Sequence, residues 1–289
     1  MTLVATWVRN VKGVRELIIA SDSRLSGFAG NWDCCPKIVP LPRTDALLAF
    51  AGSTDIAYPA LLQMYAAVAA NPASVERRYD ITQLADVVQD VVNQMLDLRV
   101  VDPVAIDAAQ LEKQSTSFVL AGWSWRYQKF YIWEYRFTKL ASSTRKPYRF
   151  QRHKIRPYDP ESQSTQVSFV GDVAPEARRT FMAMRRARKL KLSDPVDLEP
   201  LEVLRDAIRS NVYASVGGAP QVAKAYRHMN VETFGIAWRR TSNDTPIATY
   251  GGRPLLDYEK PFFAFIDPDA VGNPASHWSQ IVTTGASDQ

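Results

Sequence analysis

MTLVATWVRNVKGVRELIIASDSR, residues 1–24, is the stretch on which the reading of this chain turns. Thr2, Leu3, Val4, Ala5, Thr6, Trp7 and Val8 are small, β-branched or apolar from the outset. Residues of this kind suit a pleated, half-buried strand, whereas most chain ends begin with a few polar, poorly ordered residues. Residues 15–22 continue the pattern beyond Asn10-Val11-Lys12-Gly13, which reads as a hairpin turn. The chain end is drawn straight into a sheet.

Further along, "CCPKIVPLP" (34–42) and "DALLAFAG" (45–52) read as another strand pair. Helical spacing of apolar residues follows from Thr54 to about Ala70 and from Ile81 to Leu98. The segment near Pro103 reads as a loop. "TSFVLAGWSW" (116–125) and "KFYIWEYRF" (129–137) are strands, and "QVSFVGD" (166–172) turns at Gly171 into a helix over 174–190. A helix at 199–213, strands at 220–227 and 232–240, and one or two more strands within 247–267 complete the order. Strands, two helices, strands, two helices, strands: this order predicts an α+β fold in which helices cover the outer faces of two antiparallel sheets. It is read as one domain over 1–289, with a basic surface insertion near 139–164 and a C-terminal extension after about 240.

The composition is that of a soluble globular chain: 289 residues, 46% hydrophobic, 22% charged, net charge +5. No window approaches the roughly 18 uninterrupted apolar residues of a membrane span, and no signal peptide is read at the N-terminus. The only cysteines, Cys34 and Cys35, are adjacent, which fits a reducing cytoplasm rather than a disulfide framework. Basic residues gather at Arg145, Lys146, Arg149, Arg152, His153, Lys154 and Arg156, and again at Arg178, Arg179, Arg185, Arg186, Arg188, Lys189 and Lys191. Clusters of this kind can bind phosphate, but no nucleic-acid-binding signature accompanies them, so they are read as solvated faces. His153, His228 and His277 lack metal-ligand spacing, and no phosphate loop is present, so no metal or other cofactor is expected.

The chemistry gathers at three places. Thr2 becomes the first residue once Met1 is removed, Asp22 and Arg24 end the second strand, and Lys37 opens the third. If these strands are antiparallel neighbours, all three places share one sheet edge. A free N-terminal threonine carries both a nucleophilic hydroxyl and an α-amine able to take its proton, and Lys37 would tune that amine while Asp22 holds Lys37. The Gly52 N–H, at a strand-to-helix turn, is placed to stabilise an oxyanion. Taken singly, the same residues read as a strand-end ion pair, a solvated lysine and a turn glycine.

Together these residues resemble the proteasome β-subunit type of N-terminal-nucleophile (Ntn) hydrolase. The resemblance rests on Thr2, "DSR" (22–24), Lys37, "FAGST" (50–54), "SFVGDVAPEARRTF" (168–181) and "YASVGGAPQVAKAY" (213–226), and it spans residues 2–240 in order. It is similar above all to the stand-alone bacterial homologues of the heat-shock peptidase and ancestral β-subunit kind. It implies a four-layer αββα sandwich and threonine protease activity on polypeptide or peptide substrates. It also implies a homo-oligomeric ring or stack, with an AAA+ unfoldase as partner. The catalytic set would be Thr2, Asp22, Lys37 and Gly52, supported by Arg24, Ser168, Gly171, Asp172, Ser215 and Gly217. The chain departs from the pattern in three ways. Its first hairpin is longer, which is read as setting Asp22 further from Thr2. Val170 stands where the family has an assisting serine, for which Ser168 or Asp172 is the expected substitute, and the aspartate of the later Asp-x-x-Ser-Gly motif falls near Val212. These losses favour an alternative reading, a catalytically inactive scaffold or partner-binding subunit.

Overall fold

Alternation along the strands sorts the apolar residues of this chain onto opposite faces. A computed structural model describes residues 2–11, 13–27, 30–139, 148–155, 167–191, 193–259 and 263–270. In chain order the strands begin with β1 (Leu3–Val11), β2 (Val14–Ser21), β3 (Leu25–Gly27), β4 (Gly30–Trp32), β5 (Ile38–Pro40) and β6 (Ala46–Ala51). Next come β7 (Ser117–Ser124), β8 (Lys129–Lys139), β9 (Tyr148–Ile155), β10 (Val167–Gly171), β11 (Gln221–Tyr226) and β12 (Val231–Trp238). The short β13 (Ile247–Tyr250), β14 (Arg253–Pro254) and β15 (Phe265–Ile266) end the series. The helices are α1 (Thr54–Ala69), α2 (Pro72–Val75), α3 (Ile81–Leu98), α4 (Ile106–Ser115), α5 (Ala174–Ala187) and α6 (Glu199–Ser210).

An eight-stranded sheet runs β10-β1-β2-β11-β12-β13-β14, with β15 paired to β12 in parallel; a five-stranded sheet runs β5-β6-β7-β8-β9; β3 and β4 form a separate ribbon. On β1, Leu3, Ala5 and Trp7 face a cluster with Phe181, Leu201 and Leu204 of α5 and α6. Val4 and Val8 face the other way, onto Leu47, Ala49, Val119 and Ile132 of the five-stranded sheet. On that sheet Leu48, Phe50, Phe118 and Leu120 turn instead to Leu61, Met64, Leu84 and Val88 of α1 and α3. Helix α3 starts where the sequence can cap it. Asp80 accepts from Thr82 N, and Gln83 Oε1 accepts from Asp80 N, each at 3.0 Å.

The expected α+β four-layer αββα sandwich is corrected by these elements. The chain is mixed but strand-rich, 35% strand against 31% helix, with several antiparallel sheets and six helices among the described residues. One cause lies in segments read as peripheral. β9 comes from the supposed insertion and extends the five-stranded sheet, the one or two strands expected within 247–267 are three, β13 to β15, and the β3–β4 ribbon was not foreseen. A four-residue helix, α2, also lies where no element is expected. The loop expected near Pro103 contains a single 3-10 turn and then α4, in which Ala109 is buried while Ile106 and Leu111 are exposed. Residues 140–147 and 156–164 of the insertion, and 260–262 and 271–289 of the extension, lie outside the described residues. No described helix is long and apolar enough to cross a membrane. Part of the basic excess is consumed by ion pairs: Arg149–Asp97, Arg152–Asp86, Arg179–Glu176 and Arg188–Glu202.

At the far end of β1 from Thr2, Glu16 accepts from Arg9 at 2.9 Å and from Lys224 at 2.7 Å, all three side chains being buried. Burial outweighs Glu16 and lowers the Lys224 ammonium to about 8 from an ordinary 10.5. Below pH 8 both folded and unfolded states hold this proton; as pH rises from about 8 towards 10.5 the unfolded state binds more of it, so this group makes folding more favourable. Lys224→Met removes that contribution. The stability gap in favour of the parent chain should therefore widen by on the order of 1–3 kcal/mol between pH 7.5 and pH 10, read from urea unfolding. A gap that does not change with pH contradicts the assignment.

Candidate active site

Thr2 shares the parity of Val4 and Val8, so its side chain belongs to the face of β1 that meets the five-stranded sheet. Lys37 comes from that second sheet, immediately before β5, and its Nζ donates to Thr2 Oγ1 at 2.5 Å. The expectation that the three strands adjoin in one sheet is therefore corrected: Thr2 and Asp22 belong to the eight-stranded sheet and Lys37 to the five-stranded one. Asp22 is not displaced by the longer hairpin. The β1–β2 register runs from Val11↔Val14 to Val4↔Ser21, so the added length lies at the opposite end, and Asp22 N donates to Leu3 O.

Asp22 is the hub. Its Oδ1 accepts from Lys37 Nζ at 3.0 Å and from Leu3 N at 3.1 Å, while its Oδ2 accepts from Arg24 N at 3.1 Å and Gly217 N at 3.2 Å. Thr2, Asp22 and Lys37 are all fully buried. Burial pushes the Lys37 ammonium below the ordinary lysine range, with Asp22 opposing. The same burial pushes Asp22 up, against Lys37 and the N–H groups of Leu3 and Gly217. An amine of lowered pKa beside a hydroxyl is suited to take its proton.

The supporting residues separate into those the fold gathers at this point and those it does not. Thr2 N donates to Asp172 Oδ1 at 3.0 Å, and Ser215 Oγ donates to Asp172 Oδ2 at 2.6 Å. Gly171 opposes Leu3 at φ +117°, and a Cβ there would lie 1.8 Å from Thr2 O. That position is also 3.5 Å from the Ala51 side chain, which brings the end of β6, and Gly52 after it, beside Thr2. Gly52 has φ +113°, and a Cβ on it would meet Ser115 O at 2.1 Å. Arg24 donates to both oxygens of Asp33 at 2.6 and 2.8 Å, and to Ala214 O and Val216 O at 3.4 Å each. It thereby staples the Ser215–Gly217 turn to the strand end that carries Asp22. Ser168 is not gathered: it opposes Thr6 three residues back along β10, about 10 Å from the Gly171 position. Val170 opposes Val4 and packs between the sheets.

Two contributors went unread in the sequence. Gln221 Oε1 accepts from Lys37 N at 3.0 Å, and its Nε2 donates to Cys35 O at 2.7 Å, fixing the backbone that carries the lysine. A buried glutamine opening an apolar strand was the available signal. Asp33, which orients Arg24, had none. Among the described residues no three or more His, Cys, Asp or Glu side chains gather as a metal cluster would.

No protein-family model and no curated protein matches this chain.

The Gly171 contact leads to a direct comparison. Gly171→Ala places a methyl against Thr2 O in a left-handed backbone and should cost about 3 kcal/mol or more. Gly13→Ala shares a positive φ of +81° but meets nothing within 4 Å, so it should cost only about 1 kcal/mol. Chemical denaturation of the two variants checks this, and equal losses would mean that the close approach at Gly171 is not a constraint.

Proposed function

We propose that this chain is an N-terminal-threonine hydrolase cleaving peptide (amide) bonds, with Thr2 as the nucleophile once Met1 has been removed. The observation that carries the reading is the 2.5 Å contact of Lys37 Nζ with Thr2 Oγ1, backed by Asp22 at 3.0 Å. In the proposed cycle Thr2 Oγ adds to the scissile carbonyl carbon and its proton passes to the neutral Lys37 amine. The Gly52 N–H stabilises the oxyanion, aided by the N-terminus of α1. Collapse breaks the C–N bond, and the leaving nitrogen takes a proton from the Thr2 α-ammonium. Water then attacks the ester carbonyl and gives a proton to the α-amine, and Thr2 Oγ leaves with the proton held by Lys37. The resting protonation states are restored.

The same resemblance to proteasome-type hydrolases underlies a proposed polypeptide substrate, assembly into a ring or stack, and an unfoldase partner. Val170 and Val212, standing where a serine and an aspartate would assist, favour a second reading, a catalytically inactive scaffold. Intact mass and a threonine-directed epoxyketone separate the two. For the enzyme, the purified chain lacks Met1 and takes up one equivalent of reagent. Thr2→Ala abolishes labelling, and Lys37→Ala slows it about 10²–10⁴-fold. Retained Met1, or labelling that survives Thr2→Ala, overturns the hydrolase reading.

A further inference from the structure

Ser23 joins the strand end that carries Asp22 to the segment that carries Lys37. It follows Asp22 directly and is fully buried. Its Oγ donates to Asp33 O at 3.1 Å, its carbonyl accepts from Cys35 N at 3.0 Å, and its N–H donates to Gly217 O at 3.1 Å. Two glycines press on this joint. A Cβ on Gly218, before β11, would lie 2.2 Å from Ser23 Oγ. A Cβ on Gly252 would lie 2.3 Å from Ser23 Cβ, 2.6 Å from its Oγ and 3.4 Å from the Cys34 carbonyl carbon. Gly252 belongs to the two-residue turn between β13 and β14, beyond the residues 2–240 on which the resemblance rests.

The turn meets the joint as a braced piece. Tyr250 pairs with Arg253, and Gly251 and Gly252 have φ +58° and +91°, as a tight hairpin turn of this hand requires. β13 pairs along β12, Thr249 Oγ1 donates to Ile236 O at 3.3 Å, and the Tyr250 and Thr233 hydroxyls share a hydrogen bond at 2.8 Å. A Cβ on Gly251 would meet nothing within 4 Å, so backbone conformation alone accounts for that glycine. Gly252 has the conformation and the contact.

We propose that the β13–β14 turn positions Asp22 against Lys37, with Gly252 as the positioning residue acting through Ser23. The catalytic meaning of this rests on the hydrolase reading above; the packing does not. Asp22 and Lys37 come from different sheets, so their alignment depends on whatever fixes one strand end to the other. Ser23 is one residue from Asp22 and is bonded to Cys35, two residues before Lys37. Displacing it moves both partners at once. The segment beyond residue 240 is thereby a support of the Lys37–Asp22 pair rather than an appendage.

The test compares Gly252→Ala with Gly251→Asn in the full chain. Asparagine tolerates the left-handed backbone of Gly251, where its Cβ meets nothing. Two quantities are read: the titration midpoint of Lys37, by NMR of isotope-labelled lysine, and the rate of epoxyketone labelling. The titratable groups that face Lys37 are Asp22, Cys35 and Asp172, and burial outweighs all three. Gly252→Ala prises Ser23 from the Cys34 segment and admits water. The midpoint should therefore rise towards the ordinary lysine range by about one pH unit or more, and labelling should slow about 10²-fold. Gly251→Asn should change neither. Ser23→Gly deletes the two atoms that the new methyl meets most closely, so Gly252→Ala added to it should have little further effect. That pair of chains carries the test if Gly252→Ala alone does not fold. A role confined to stability would lower the urea midpoint and leave the Lys37 titration and the labelling rate unmoved, which overturns the proposal. Equal effects of Gly251→Asn and Gly252→Ala overturn it too, as does Gly252→Ala acting undiminished in the presence of Ser23→Gly. A parent chain that takes up no epoxyketone, with the Lys37 shift present, overturns only the hydrolase reading.

Discussion

A lysine side chain without access to water has to be partnered where it stands, and much of this molecule is organised around that requirement. Lys37 is fully buried, and Asp22 is equally so. Removing one partner of such a pair generally costs about 3–5 kcal/mol, because the charge left behind has no solvent. Asp22 meets the requirement with its whole acceptor capacity, receiving Lys37 and three backbone N–H groups. Those amides belong to the start of β1, the segment between β2 and β3, and the turn before β11. The carboxylate that compensates the lysine therefore also ties three separate parts of the chain to one point.

Each polar atom of Thr2 has its own support. The hydroxyl meets Lys37, which the opposite sheet supplies, and the nitrogen meets Asp172, which the neighbouring strand supplies. Further groups steady these: Gln221 behind the Lys37 backbone, Ser215 behind Asp172, and Arg24 behind Ser215. This layered support is what the proposed active centre requires, since a reacting group displaced by 1 Å loses much of its effect. The close approach of Gly171 to Thr2 O removes one remaining freedom, because no side chain separates the two strands there.

How much of this could be read in the residues depended on range. Thr2, Asp22 and Lys37 were legible because strand ends and a shared chemistry mark them locally, and Gly52 and Gly171 because glycine announces an unusual backbone. That Lys37 lies on a different sheet was not legible, since strand order is a property of pairing and not of any one strand. The layer description failed for a related reason. The residues of β9 carry enough charge to pass for a surface loop, and only their partner β8 makes them a strand, whereas the one or two strands expected within 247–267 are three, β13 to β15. Helix α4 was hidden behind Pro103 and lacks a strong apolar stripe. Ser168 was chosen by its position in a motif, yet the β1–β10 register sets it against Thr6.

Between the two large sheets the layer around Val4, Leu17 and Ile19 is rich in alanine: Ala49, Ala51, Ala121, Ala223 and Ala225 are all buried there. Small side chains let the sheets approach closely, and it is across this gap that Lys37 reaches Thr2. The alanines thus act as a spacer gauge for the Lys37–Thr2 contact. A methylene added at Ala223 or Ala49 touches neither Lys37 Nζ nor Thr2 Oγ1, yet it would wedge the sheets apart and lengthen the contact across which the proposed proton transfer runs.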